Sequence, residues 1–282
     1  MLKIGISTCD NKPLTLENLS LMKKSGISAI EISYSSYDNF DFIEAKKNCD
    51  IAGIEIWSFH LPFMPFENID PSSSDKDVQN STFKLHANLI KKAAEIGIDK
   101  FVIHASAEPI EDNEREIRLG NAIKYISKLA DFANELGAII AVEDLPRTCI
   151  GRDSYDILKI LSDNDKLRVC FDTNHLLTEN IADFIEKVGD KIITVHVSDF
   201  DFVNERHWMP GEGDINWQEL YAKLMDKGYN GVWMYELGLE TPKSIIRRPL
   251  KFEDICNNAN EIFKGDKPTP LGKRIENLPF WA

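Results

Sequence analysis

The chain reads as an α/β protein folded as a single (β/α)8 barrel. Three observations predict this. Short β-rich runs alternate with longer amphipathic stretches, and eight such runs occur. The strand-then-helix unit recurs over roughly 260 residues, the arithmetic of an eightfold barrel. No GxGxxG fingerprint follows the first run, which removes the usual signature of a doubly wound, dinucleotide-binding sheet.

The β-rich runs are Lys3 to Thr8, Ala29 to Ser33, Ile54 to His60, Lys100 to Ala105, Ala138 to Asp144, Leu167 to Asp172, Ile192 to Ser198 and Gly231 to Leu237. They are nearly continuous in apolar residues, as parallel strands covered on both faces should be. Between them lie stretches of helical period: Leu16, Leu19 and Leu21 before Gly26; Phe40, Ile43 and Ala45 before Gly53; Leu85, Leu89, Ile90 and Ala93 before Gly97. The pattern continues with Ile123, Ile126 and Leu129 before Gly137, Tyr155, Ile157 and Leu158 after Asp153, Phe184 and Val188 before Gly189, and Leu220 and Leu224 before Gly228. A glycine just past a helix predicts a left-handed cap. Asp153-Ser154 and 214–216 are the N-cap regions.

Two connections are long. The first, 61–77, opens LPFMPFENIDPSSSD; the second, 199–216, reads DFDFVNERHWMPGEGDIN. Both follow a strand's C-terminal end, where barrel active sites sit, and long loops in a compact domain carry function. The barrel is expected to occupy 1–263. The segment 264–282, rich in proline and charge, is expected to pack on the barrel or on a neighbouring subunit.

Composition narrows the function classes. Hydrophobic residues make up 43% of the 282 and charged residues 28%, which excludes collagen-like and disordered chains. No apolar run approaches the roughly 18 residues of a membrane span. The N-terminal residues lack the charged and apolar regions of a signal peptide, so cytoplasm is the expected location. The net charge of −13 disfavours a nucleic-acid partner. Five cysteines, an odd number without CxxC, exclude a disulfide framework or cysteine-based zinc site and are expected to be buried or partly buried free thiols.

The polar residues at the strand ends carry the chemistry. The third and fourth runs carry His60 and His104; the fifth ends in Glu143-Asp144; the sixth ends in Asp172, with His175 three residues on; the last two carry His196 and Glu236. Only His86 lies away from this end, as a helix or surface residue. Alternation places Glu143 with Ala141, Asp172 with Cys170, His196 with Thr194 and Glu236 with Met234 on the axial face. Three carboxylates converging there would repel without a cation. One imidazole and three carboxylates suit a divalent ion: Mn²⁺, Mg²⁺, Co²⁺ or Zn²⁺. Taken singly, His60 and His104 read as hydrogen-bonded wall residues, and Asp144 and Glu31 as structural or supporting groups. Arg147 and Arg152 could bind phosphate or lie at the surface.

FHLP at 59–62, VIHAS at 102–106, VEDLP at 142–146, CFDTNH at 170–175, VHVSD at 195–199, RHWMPGEGDINW at 206–217 and YELG at 235–238 together resemble the xylose isomerase-like barrel superfamily. The resemblance is to its sugar (phosphate) isomerase/epimerase branch, related to endonuclease IV-type enzymes. It implies one divalent metal on Glu143, Asp172, His196 and Glu236, with Glu143 and Glu236 also moving the proton. It implies that His60, His104, His175, His207 and Glu205 bind substrate or a second metal. His207 stands where ketose 3-epimerases commonly carry a substrate-binding Arg. The endonuclease-like branch has His there, with an Asp two residues earlier that is Glu205 here.

The implied activity is isomerisation or epimerisation of a sugar or sugar phosphate by proton abstraction beside a carbonyl, under an apolar lid of Phe63, Met64, Phe66 and Trp208. Three alternatives remain: a dehydratase or lyase acting on a keto-polyol of the inosose or dehydroshikimate type, a multi-zinc phosphodiesterase, and a non-catalytic barrel. The expected partner is a small carbohydrate or keto-polyol. The branch's frequent dimers and tetramers set a homo-oligomer as the expectation.

Overall fold

The computed structural model describes every residue except 11, 277, 281 and 282. Eight parallel strands close a barrel in chain order: β1 (Lys3–Ser7), β2 (Ala29–Ile32), β3 (Glu55–His60), β4 (Lys100–Ile103), β5 (Ile139–Glu143), β6 (Arg168–Asp172), β7 (Ile192–Val197) and β8 (Val232–Tyr235). Helices follow each strand: α1 (Leu16–Ser25), α2 (Phe42–Ala52), α3 (Lys76–Glu95), α4 (Arg115–Glu135), α5 (Ser154–Leu161), α6 (Ile181–Val188), α7 (Trp217–Asp226) and α8 (Phe252–Phe263). The expected single (β/α)8 TIM barrel is the observed fold. Two short strands, β9 (Ile245–Ile246) and β10 (Lys273–Arg274), pair antiparallel outside it. Among the described residues, no helix is long and apolar enough to cross a membrane.

The alternation expected along the strands is present. Ala141 and Cys170 pack inside the barrel with Val102, and Ala29 with Val232 and Met234. Val142, Phe171, Val195 and Tyr235 join the outer core beneath the helices. Gly5 makes room for the inner layer: a Cβ there would lie 2.6 Å from Val232 Cγ1 and 2.9 Å from Met234 Cε. Across the barrel, Trp57 Nε1 donates to Thr194 Oγ1 at 3.2 Å.

The helix ends follow their sequence signals, with one correction. Asp153 and Asn216 accept from the backbone N–H of Asp156 and Glu219 as N-caps. Gly26 and Gly53 adopt the left-handed cap. Gly189 does not; its φ is −58°, because the chain tightens into a 3-10 turn over 189–191 that leads straight into β7. His86 is on α3 but is fully buried, where its Nε2 meets the Pro62 carbonyl at 2.9 Å and Tyr125 Oη its Nδ1 at 2.8 Å. Four cysteines are buried free thiols, whereas Cys9 is exposed. It sits on the loop after β1, facing the cavity described next.

Candidate functional site

Strand register brings the polar residues together. Asp172 pairs with His196 across β6 and β7, and His196 with Met234 of β8, so Glu236 emerges just past the strand end. Glu143 closes β5 beside Cys170. The result is a floor at the C-terminal end of the barrel where Glu143, Asp172, His196 and Glu236 offer ligand atoms within 4.8 Å of one another. A cavity of about 460 Å³ opens above it, and Glu143 and Glu236 line its base.

His196 is fixed from both sides. Its Nε2 lies 3.1 Å from Glu31 Oε2, and its Nδ1 lies 2.8 Å from Glu143 Oε1 and 3.2 Å from Glu236 Oε2. Glu31 also accepts from Ser58 at 2.7 Å. Three other histidines are held through the opposite ring nitrogen, by backbone carbonyls. The Nδ1 of His60, His175 and His207 faces a backbone carbonyl, that of Leu61 at 2.8 Å, Asp144 at 2.7 Å and Glu236 at 3.1 Å. A carbonyl only accepts, so Nδ1 carries a proton and donates it there, and Nε2 faces the site. Those Nε2 atoms meet Glu143 at 3.0 Å, Glu205 at 3.5 Å and Glu205 at 2.9 Å respectively. His104 Nε2 lies 3.1 Å from Glu143 Oε2.

The electrostatics follow from burial and pairing. Burial disfavours the Glu143 anion, yet His196 and His104 hold its pKa well below the usual carboxylate range. Glu236 is likewise depressed, with His196 overcoming burial. Burial pushes Asp172 up to about 7, as His175 opposes it and Glu236 reinforces it. Burial alone would lower His60 and His207, but Glu143 raises the first to about 9 and Glu205 the second to about 9. His104 falls, mainly through burial.

These residues fit a divalent ion. Asp172 Oδ1 accepts from the Asn174 N–H, but its Oδ2 is buried without a hydrogen-bond partner, 3.8 Å from His196 Nδ1 and 3.7 Å from His175 Nε2. An orphaned, buried carboxylate oxygen facing other ligand-type atoms is costly without a cation. Among the described residues three further groups have the same spacing: His60, His104 and Glu143; His175, Glu205 and His207; and Glu143, Cys170 and His196.

The long loops form the walls. Phe63 and Phe66 line the cavity, and the Phe63 ring stacks on His104 at 4.0 Å between centroids. Trp208 does not; it is fully buried away from the cavity, with its Nε1 donating to Ser244. The loop after β7 turns at Asp199, whose carboxylate accepts from the N–H groups of Gly211 and Ile215 and from Trp217 Nε1. That turn sends Trp208 outward and leaves no space for a side chain at Gly213, where a Cβ would lie 2.2 Å from Asp199 Oδ1.

Glu31 and Asp144, expected as supporting groups, do support the ligand set, and Glu108 joins them. Glu31 anchors His196. Asp144 accepts from the Asp172 N–H at 2.7 Å. Glu108, for which the sequence carries no signal, pairs with Arg147, whose Nη1 reaches Glu205 at 2.8 Å. That pairing places Arg147 on the cavity wall between two carboxylates. Arg152 lies outside the cavity lining, 3.8 Å from Asp153.

The chain belongs to the xylose isomerase-like TIM barrel family, whose model matches residues 19–253. It is 32% identical over 207 residues to the uncharacterized protein MJ1311 of Methanocaldococcus jannaschii, covering 70% of this chain and 69% of that one. It is 27% identical over 126 residues to fructoselysine 3-epimerase of Escherichia coli O157:H7, a match spanning 42% of this chain and 45% of that enzyme. The crystal structure of a D-tagatose 3-epimerase-like protein superposes with a TM-score of 0.79 at 24% identity, over 93% of this chain and 97% of that one, a likeness of fold.

Proposed function

We propose that the protein is a divalent-metal-dependent isomerase or epimerase acting on a sugar or sugar phosphate. One observation carries the reading: Glu143, Asp172, His196 and Glu236 converge at the cavity floor, with a buried carboxylate oxygen that no protein group satisfies. In this reading these four residues hold one ion, Mn²⁺, Mg²⁺, Co²⁺ or Zn²⁺. A bound divalent ion supplies Lewis acidity, which acidifies hydrogen on the carbon beside a carbonyl and stabilises the charge that develops.

The chain's own groups do the rest. Glu31 keeps the His196 proton on Nε2 and so frees Nδ1 for the site. Glu143 and Glu236 move the proton, one taking it from carbon and the other returning one to the opposite face. His60, His104, His175 and His207 present nitrogens to the substrate's hydroxyls. Phe63 and Phe66 exclude water. Fructoselysine 3-epimerase, a relative by sequence, supports the sugar assignment.

The test loads the purified protein with each metal in turn and offers ketoses and ketose phosphates in deuterated water. Deuterium should enter the carbon beside the carbonyl, and only in metal-loaded protein. Equal exchange in metal-free protein would overturn the metal dependence, and no exchange with any substrate would overturn the activity.

A second reading, a multi-metal phosphodiesterase, is favoured by the two further ligand groups around His60 and His207. Metal analysis separates the two: one ion per chain supports the isomerase, three zinc ions the phosphodiesterase.

A further inference from the structure

Glu205 and His207 flank Arg206 on the loop after β7, and the three side chains do not share a side. Glu205 and His207 line the cavity, whereas Arg206 does not. His207 has a φ of 50°, in the left-handed region that side chains with a Cβ rarely adopt. Such a conformation persists only where its surroundings hold it. From within, Asn174 Oδ1 accepts the backbone N–H of Arg206 at 3.0 Å and of His207 at 3.4 Å. Asp199 and Trp208 exchange backbone hydrogen bonds of 2.8 and 3.0 Å across the loop's base.

From outside, the loop is gripped by a segment far along the chain. Arg206 is buried, paired with Asp201 at 3.0 Å, and its Nη1 donates to the carbonyls of Pro279 at 3.2 Å and Phe280 at 2.9 Å. Asn204 Nδ2 donates to the same Phe280 carbonyl at 2.8 Å. Arg274 of β10 pairs with Asp214, and its guanidinium lies 5.6 Å from the Trp208 ring, over which Arg206 also lies at 5.7 Å. Hydrogen bonds from a charged guanidinium to carbonyls are directional and stronger than neutral ones.

We propose that Pro279 and Phe280 act as a strap that positions Glu205 and His207, with Arg206 and Asn204 as the positioning residues through which it acts. The inference deepens the isomerase reading, since it makes a distant segment set the geometry of two residues assigned there to the site. Arg147 holds Glu205 from the cavity side, so loss of the strap leaves the loop held on one side only.

The test is a chain stopped after Ile275, which keeps β10 and the 3.0 Å bond from the Ile275 N–H to Ser244. Hydrogen exchange in peptides from 199–216 should quicken about tenfold or more, while β5 and β6 stay protected. With a substrate that the intact chain turns over, kcat/KM should fall roughly 10- to 100-fold, and the truncation should add less than about twofold to His207→Ala. Arg206→Lys, which keeps a charge for Asp201 but lacks the guanidinium fork, should change both readouts in the same direction.

Unchanged exchange in 199–216, or exchange quickened equally in every strand, overturns the strap. Full additivity with His207→Ala overturns its role in the site. If the intact chain turns over no ketose, the isomerase reading falls and the exchange result alone decides whether the strap exists.

Discussion

Glu31 Oε2 lies 3.1 Å from Nε2 of His196, and this contact decides which imidazole nitrogen faces the other carboxylates. A histidine that donates one N–H to a carboxylate has the other nitrogen fixed in tautomer and direction. Glu31→Ala should therefore weaken metal affinity by about 10- to 100-fold without touching a proposed ligand, since supporting partners typically contribute that much. Competition titration against a metal chelator measures it. Unchanged affinity would mean that Glu31 only fills space.

Glu143 and Glu236 are assigned two tasks, holding the ion and moving the proton. Glu143→Gln and Glu236→Gln should each lower kcat by about 10²- to 10⁴-fold, the usual worth of general acid–base help. Chelation should abolish activity, and added metal should restore it in the parent protein but not in the double variant. Deuterium exchange separates the tasks: a variant that still binds metal but no longer exchanges has lost the proton transfer alone. A fully active double variant would sink the scheme.

The strand ends were legible because a period of two in β-branched sequence leaves little freedom. Once Val142, Phe171 and Val195 face the helices, Glu143, Asp172 and His196 must face the axis. Glu31 could be placed near the site but its partner could not, because that contact joins β2 to β7 and depends on how the barrel closes. Trp208 departs from the expected lid for a related reason. Alternation does not hold in a loop, and the turn that Asp199 organises sends the indole outward. The buried setting of His86 is hidden because the pattern of α3 gives only the helix, whereas its partners are Pro62 on the loop after β3 and Tyr125 on α4.

His86 should make stability depend on pH. Burial lowers its pKa to about 4, from the usual 6.5 of a histidine. The folded state keeps it neutral where the unfolded chain takes up a proton, so stability is complete above about 6.5 and drains as pH falls toward about 4. The shift corresponds to roughly 3 kcal/mol at most. Urea midpoints of metal-free protein at several pH values, compared with His86→Gln, check this. The variant should be less stable at neutral pH and lose less on acidification; parallel curves would remove His86 as the cause.

Phe63 and Trp208 are aromatic residues on the two long loops, and the structure gives them opposite tasks. Phe63 stacks on His104 at the cavity wall, whereas Trp208 is fully buried beneath Arg206 and Arg274. Phe63 lines the cavity, so Phe63→Ala should raise KM by up to about tenfold, while the lost stack on His104 lowers stability by only about 0.5–1.5 kcal/mol. Trp208→Ala removes a fully buried indole and strands the Ser244 hydroxyl, at a cost of about 3–5 kcal/mol. Trp208→Phe keeps most of the packing and should lower the midpoint without raising KM. Steady-state kinetics and thermal denaturation on the same preparations check the pair. If Trp208→Phe raises KM as Phe63→Ala does, the indole contributes to the lid after all, and the division between the two loops fails.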